Sequence, residues 1–152
     1  APRYMPRRPL FYLGADHAGF ALKEALKVLL ERSKIPFEDL SPHFTPKDDY
    51  PLIGALLAKR VALTEDAQGI LICGSGMGIA IAANRITGIR AAVIHEPKEA
   101  ILARSEDHAN VLVLGGRVLS AKKLPAILEA WIATKPNRTA RYVRRAHELD
   151  VL

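Results

Sequence analysis

One short segment combines a thiol, a hydroxyl and three glycines: Cys73-Gly74-Ser75-Gly76-Met77-Gly78. It follows the continuous apolar run Gly69-Ile70-Leu71-Ile72 and precedes a helical stretch. Glycines at such a junction let the backbone approach a ligand with its N–H groups forward, a geometry that holds a phosphate or a developing oxyanion. The segment lacks the Lys-Ser/Thr ending of a nucleoside-triphosphate loop, and its spacing departs from the dinucleotide fingerprint. Its plainer explanation is a tight strand-to-helix turn. Cys73 also has two explanations. A lone cysteine among apolar neighbours is commonly a core residue, but a sulfur facing a helix N-terminus is stabilised as the anion, which is a base as well as a nucleophile.

Other reactive side chains stand beside glycines. Asp16 and His17, in Gly14-Ala15-Asp16-His17-Ala18-Gly19, form a general acid–base pair or a sugar-binding pair, or else a helix-capping aspartate and a surface histidine. Arg117 follows Gly115-Gly116, and Glu106, Asp107, His108 and Asn110 precede the last apolar run. Arg141 and Arg145 are four residues apart and share one helix face, with Arg138 nearby. They are a clamp for a phosphate monoester or a solvated basic face. With one cysteine and no ligand-spaced cluster, no metal site is expected.

The elements that must position these groups follow from the apolar pattern. Strands are expected at 10–13, 35–40, 69–73, 89–94 and 111–114, and helices at 21–30, 51–63, 79–85, 97–105, 121–133 and 138–149. Five short buried strands alternating with helices imply an α/β fold, a single-domain three-layer sandwich around a five-stranded parallel Rossmann-like sheet with an extra C-terminal helix. Such sheets bind ligands beyond the carboxyl ends of their strands. The segments around Asp16, Cys73, Arg117 and Glu106 are therefore expected to converge on one rim.

Length and charge narrow the function classes. The chain of 152 residues suits one domain, spanning 9–152, behind a basic and disordered tail at 1–8. Its net charge of +6 is concentrated at the ends. Three arginines lie in the first eight residues and five basic residues lie beyond Thr134, which leaves fourteen basic and fourteen acidic residues between. A neutral body argues against a nucleic-acid-binding face. No apolar run is long enough for a membrane span, no secretory signal is evident, and a lone cysteine fits the cytoplasm.

At this point the motifs resemble a known family. Gly14-Ala15-Asp16-His17-Ala18-Gly19-Phe20 with Leu22-Lys23, then Asp49-Tyr50-Pro51, are similar to the first two motifs of type B ribose-5-phosphate isomerases. Gly69 to Ile79, with Ile81-Ala82-Ala83-Asn84-Arg85, resembles their central signature, and Ile89-Arg90-Ala91-Ala92, Asn110-Val111-Leu112 and Gly115-Gly116-Arg117 continue in order. The family also includes galactose-6-phosphate and allose-6-phosphate isomerases. The resemblance implies a metal- and cofactor-free aldose–ketose isomerisation through a cis-enediolate. Cys73 would be the base, with Ser75 and the backbone of Gly74, Gly76, Met77 and Gly78 around the enediolate, and Asp16 would handle hydroxyl protons during ring opening or closure. His17, Arg117, Arg141 and Arg145 would hold phosphate, and Tyr50 would line the pocket. It further implies a homodimer with sites built from two subunits, or a tetramer. One stretch departs from the pattern. Where the family's ribose isomerases carry Arg-x-His-Asn, this chain has Arg104-Ser105-Glu106-Asp107, with His108 two residues late. Glu106 and His108 thus become the candidates for ring opening. An isomerase of another phosphorylated sugar and a non-catalytic sugar-phosphate sensor are the competing expectations.

Overall fold

The computed structural model describes residues 10–152. The tail expected at 1–8 lies outside the described residues.

The apolar runs form five strands: β1 (Phe11–Ala15), β2 (Phe37–Asp39), β3 (Gln68–Cys73), β4 (Ala91–Val93) and β5 (Val111–Gly115). All are parallel, in the order β2-β1-β3-β5-β4. β1 and β5 are buried at every position and β3 at all but its first, which is why they read as continuous apolar runs. The outer strands are shorter than the sequence implies, with three residues each. Each edge strand has one paired neighbour, and its pairing stops at Leu13 of β1 or Val113 of β5, two residues before those strands end.

Six helices connect and cover the sheet: α1 (Phe20–Arg32), α2 (Tyr50–Leu63), α3 (Met77–Asn84), α4 (Pro97–Ser105), α5 (Leu124–Ala133) and α6 (Ala140–Asp150). Prolines sit in the first turns of α2, α4 and α5, where a missing N–H costs nothing. The helix expected from 121 begins instead as a single 3-10 turn, Ala121–Lys123, and becomes α-helical at Leu124. Strand alternation splits the core into two layers. Phe11, Leu13, Ile70, Ile72, Leu112 and Leu114 pack against α1, α4 and α5. Tyr12, Leu71, Cys73, Val111 and Val113 face α2 and α3. No helix among the described residues is long and apolar enough to cross a membrane.

The chain leaves β1 towards one face and β3 towards the other. A crevice therefore opens beyond the carboxyl ends of these neighbouring strands.

Candidate active site

Three turns meet at that crevice. Asp16, His17 and Ala18 follow β1, Gly74 and Ser75 follow β3, and Arg117 and Val118 follow β5. With Tyr50 and Gly78 they surround an open cleft of about 490 Å³, with Cys73 in its lining. The turns are laced together by backbone hydrogen bonds, from Gly116 N–H to Cys73 O at 2.7 Å and from Arg117 N–H to Gly74 O at 2.9 Å.

Cys73 is the last residue of β3 and only 3% exposed. Its Sγ accepts the Gly76 N–H at 3.2 Å. Gly76 is the N-cap of α3 with φ of 83°, a left-handed conformation that a side chain would strain. That turn aims the open end of α3 at the sulfur, so negative charge on Sγ meets an N–H donor and the positive end of a helix dipole. Cys73 is thus a core residue of the layer under α2 and α3 that also lines the cleft. Ser75 is exposed, and its Oγ accepts the Met77 N–H at 3.2 Å, which leaves its hydroxyl proton free to donate into the cleft.

Asp16 is buried, at 6% exposure. One carboxylate oxygen accepts the Gly19 N–H at 3.0 Å, stabilising the turn before α1, and the other is left to the cleft. His17 is half-buried, with its Nδ1 at Asp48. Tyr50, the first residue of α2, has its ring against Gly78. A Cβ at Gly78 would stand 2.4 Å from the tyrosine ring, so glycine is what lets α3 and the ring share this wall. Gly76 and Met77 support the turn without lining the cleft; Gly76 is buried and Met77 exposed. Arg117 reaches over Gly74, where a Cβ would lie 3.4 Å from its Nη1.

The expected convergence on one rim is corrected for the loop before β5. In a parallel sheet this loop returns the chain to the amino edge. Asn110 O accepts from Gly69 N at 3.0 Å, level with the start of β3. Cys73 lies four residues further along, or about 13 Å at strand rise. Glu106, Asp107, His108 and Asn110 are therefore at the opposite end of the sheet from Cys73 within one copy of the chain. Asn110 is fully engaged there: its Oδ1 accepts the Arg90 N–H and its Nδ2 donates to Gly88 O. His108 is buried, with φ of 51°, and bonds through Nε2 to Asn137 O at 2.8 Å. Glu106 and Asp107 are exposed.

Helix α6 belongs to the same amino edge. Arg90 pairs with Asp150 in its last turn, and Asn137 N–H donates to Ser105 O just before its start. Arg141 and Arg145 are exposed on it with no carboxylate partner among the described residues, whereas Arg144 pairs with Glu148 at 3.6 Å. Arg104 holds the loop by donating to Ala109 O at 2.6 Å and lies over the Trp131 ring. Burial, then the charges of Arg90 and Arg138, lower its pKa.

The sequence reading missed the groups behind the cleft. Lys23 is wholly buried and bonds to Asp39, Glu24 and Ser41 O. Burial alone would raise the Asp39 carboxyl, but hydrogen bonds from Lys23, Lys27 and Ser41 N outweigh it and hold the pKa below its ordinary value. A lysine inside an otherwise apolar helix face was the available signal.

A family model described as Ribose/Galactose Isomerase matches residues 11–149. The chain belongs to the ribose/galactose isomerase family. It is an isomerase, and its relatives bear on the substrate. Ribose-5-phosphate isomerase B of Escherichia coli is 39% identical over 122 residues, covering 80% of this chain and 82% of the relative. A crystal structure of a ribose 5-phosphate isomerase from Thermotoga maritima is 37% identical, with a TM-score of 0.90, covering 96% of this chain and all of that one. Ribose-5-phosphate isomerase B from Mycoplasma genitalium, solved with bound ribulose-5-phosphate, is 33% identical with a TM-score of 0.86, covering 93% of this chain and 94% of that one.

Proposed function

We propose that this isomerase interconverts ribose 5-phosphate and ribulose 5-phosphate, with Cys73 as the base. The observation that carries the assignment is the Cys73 sulfur at the cleft, hydrogen-bonded to the open end of α3. In the forward direction the sulfur takes the proton from C2 of the open-chain aldose. The electrons shift onto the carbonyl at C1, giving a cis-enediolate, and the proton returns to C1 as the ketose forms. Ser75 and the backbone of the glycine turn stabilise the enediolate oxygens, an effect of the kind that usually contributes most. Asp16 moves the hydroxyl proton between the two oxygens, and His17 and Arg117 bind the phosphate. A base that is a free thiol suits a reducing compartment, and we place the reaction in the cytoplasm.

The working site takes groups from two copies. Arg141, Arg145 and Glu106 have the chemistry for phosphate binding and ring opening, but one copy holds them at the wrong edge. Helix α3 runs from the cleft at Met77 towards the amino edge at Asn84. A twofold axis across its middle exchanges those ends and carries a partner's α6 to this chain's cleft. The surface such a pairing would cover is apolar: Leu52 and Leu56 on α2, and Met77 and Ile81 on α3, are 49–84% exposed. The dimer, or a tetramer of two such pairs, is therefore part of the proposal.

A second substrate is favoured by one observation. Glu106 and Asp107 stand where the resemblance implies a His-Asn pair, and a carboxylate pair there would change how sugar hydroxyls are recognised. A coupled assay with ribose 5-phosphate, allose 6-phosphate and galactose 6-phosphate, run in EDTA, tests both readings. Turnover of the pentose supports the first. Turnover of a hexose alone keeps the mechanism and changes the substrate, and no turnover of any sugar overturns the catalytic reading in favour of a sensor.

A further inference from the structure

His17 already has one ring nitrogen committed. Its Nδ1 lies 3.0 Å from the backbone oxygen of Asp48 and 3.2 Å from that residue's Oδ1, and the same Oδ1 accepts the His17 backbone N–H at 2.6 Å. A carbonyl oxygen can only accept, so Nδ1 carries a proton. Nε2 has no protein partner among the described residues, and the ring lines the cleft. Asp48 therefore grips both the main chain and the side chain of a residue 31 positions away.

Such a grip requires a loop that does not drift. The segment leading to Asp48 is tied down at its start, where Lys23 donates to Ser41 O, Asp39 accepts the Ser41 N–H, and Ser41 Oγ accepts the N–H of Ala15, the last residue of β1. It is tied again midway. The Lys23 ammonium stands 4.5 Å from the centre of the Phe20 ring, and that ring packs edge-on against Phe44 at 5.5 Å. The buried charge cluster thus sets the loop against β1 and α1 before the loop reaches the histidine.

We propose that Asp48 is a positioning residue for the reaction, acting through His17: it fixes the imidazole with its proton on Nδ1 and aims Nε2 at the phosphate of the substrate. The kinetic half of this inference rests on the proposed phosphate role of His17; the tautomer does not. When the ring is cationic, its second proton is on Nε2 and points at the phosphate, while Asp48 faces the charge from behind. A loop staple with no functional consequence would use the same contacts, so the two must be separated by experiment.

The variants are Asp48→Ala, Asp48→Asn, His17→Ala and the double variant His17→Ala with Asp48→Ala, each assayed with ribose 5-phosphate, beside long-range proton–nitrogen spectra of the histidines. Asp48→Ala, which removes the acceptor of both the His17 N–H and Nδ1, is expected to raise KM about tenfold, with kcat within about twofold. Asp48→Asn, which keeps an acceptor, recovers most of that loss. In the His17→Ala background Asp48→Ala adds no further rise in KM, because coupled residues are not additive. Neutral His17 in the wild type shows the Nδ1–H pattern. Unchanged KM in both Asp48 variants, an equal rise with and without His17, or an Nε2–H pattern in the wild type would each overturn the proposal. If the wild type turns over no sugar phosphate, the reaction assigned above fails, and the spectrum still decides the tautomer.

Discussion

The two ends of the sheet carry similar inventories of reactive side chains and treat them differently. At the carboxyl edge Cys73, Asp16 and His17 are each held by backbone or loop contacts on one side and open to a shared cleft on the other. At the amino edge the groups divide. His108, Asn110 and Arg90 are used up in holding the fold, while Glu106, Asp107, Arg141 and Arg145 project into solvent. Preorganised groups around a shared cleft make a site; side chains that point apart into solvent need something brought to them. In the two-copy site proposed above, Glu106, Asp107, Arg141 and Arg145 gain a substrate-facing place only from a second copy of the chain.

The largest effect that would break the contrast is at Cys73. Cys73→Ala should cut kcat by about a thousandfold, within the range for loss of a positioned base, while the thermal transition by circular dichroism stays near that of the wild type. A kcat within tenfold of wild type would remove the carboxyl edge as the place of proton transfer. Next is the support behind it. Lys23→Met leaves Ser41 O without that donor and Asp39 with Lys27 as its remaining cation beside the Ser41 N–H, and should cost about 3 kcal/mol in urea unfolding. An unchanged midpoint would mean that the cleft is not held from behind. At the amino edge, Arg141→Ala should raise KM by about 2 kcal/mol, roughly thirtyfold, with little change in kcat or stability. A stability loss without a KM change would make α6 a structural element only.

The smallest effect depends on pH. Asp39 is held below its ordinary value of 3.8 in the folded chain. Its carboxylate therefore adds stability above that pH, and the contribution is lost as pH falls through the folded pKa. Unfolding midpoints measured downward from pH 5 should fall more steeply for the wild type than for Asp39→Asn; parallel curves would contradict the shift.

Much of this was legible in the residues. The all-apolar runs at β1, β3 and β5 marked the central strands, and the glycines around Cys73 marked the turn that presents it. The short strands β2 and β4 were read too long, since their ends are set by pairing with neighbours rather than by apolar content. The error at Glu106 has a topological cause. A reactive loop before a parallel strand lies at the other edge from one after it, and a motif's order along the chain does not show which copy of the chain it serves. Lys23, Asp39 and Asp48 were missed because their roles arise from contacts 16 to 31 residues apart, between elements whose individual patterns are ordinary.

The central claim, that a working site takes its base from one copy and its phosphate clamp from another, is tested most directly by mixing. Cys73→Ala and Arg141→Ala, each weak alone at subsaturating sugar phosphate, should be unfolded together and refolded as a mixture. The mixed pair has one site with both defects and one with neither, so random pairing predicts recovery of about a quarter of wild-type activity. Activity no higher than the mean of the two separate variants would mean that each chain builds its site alone.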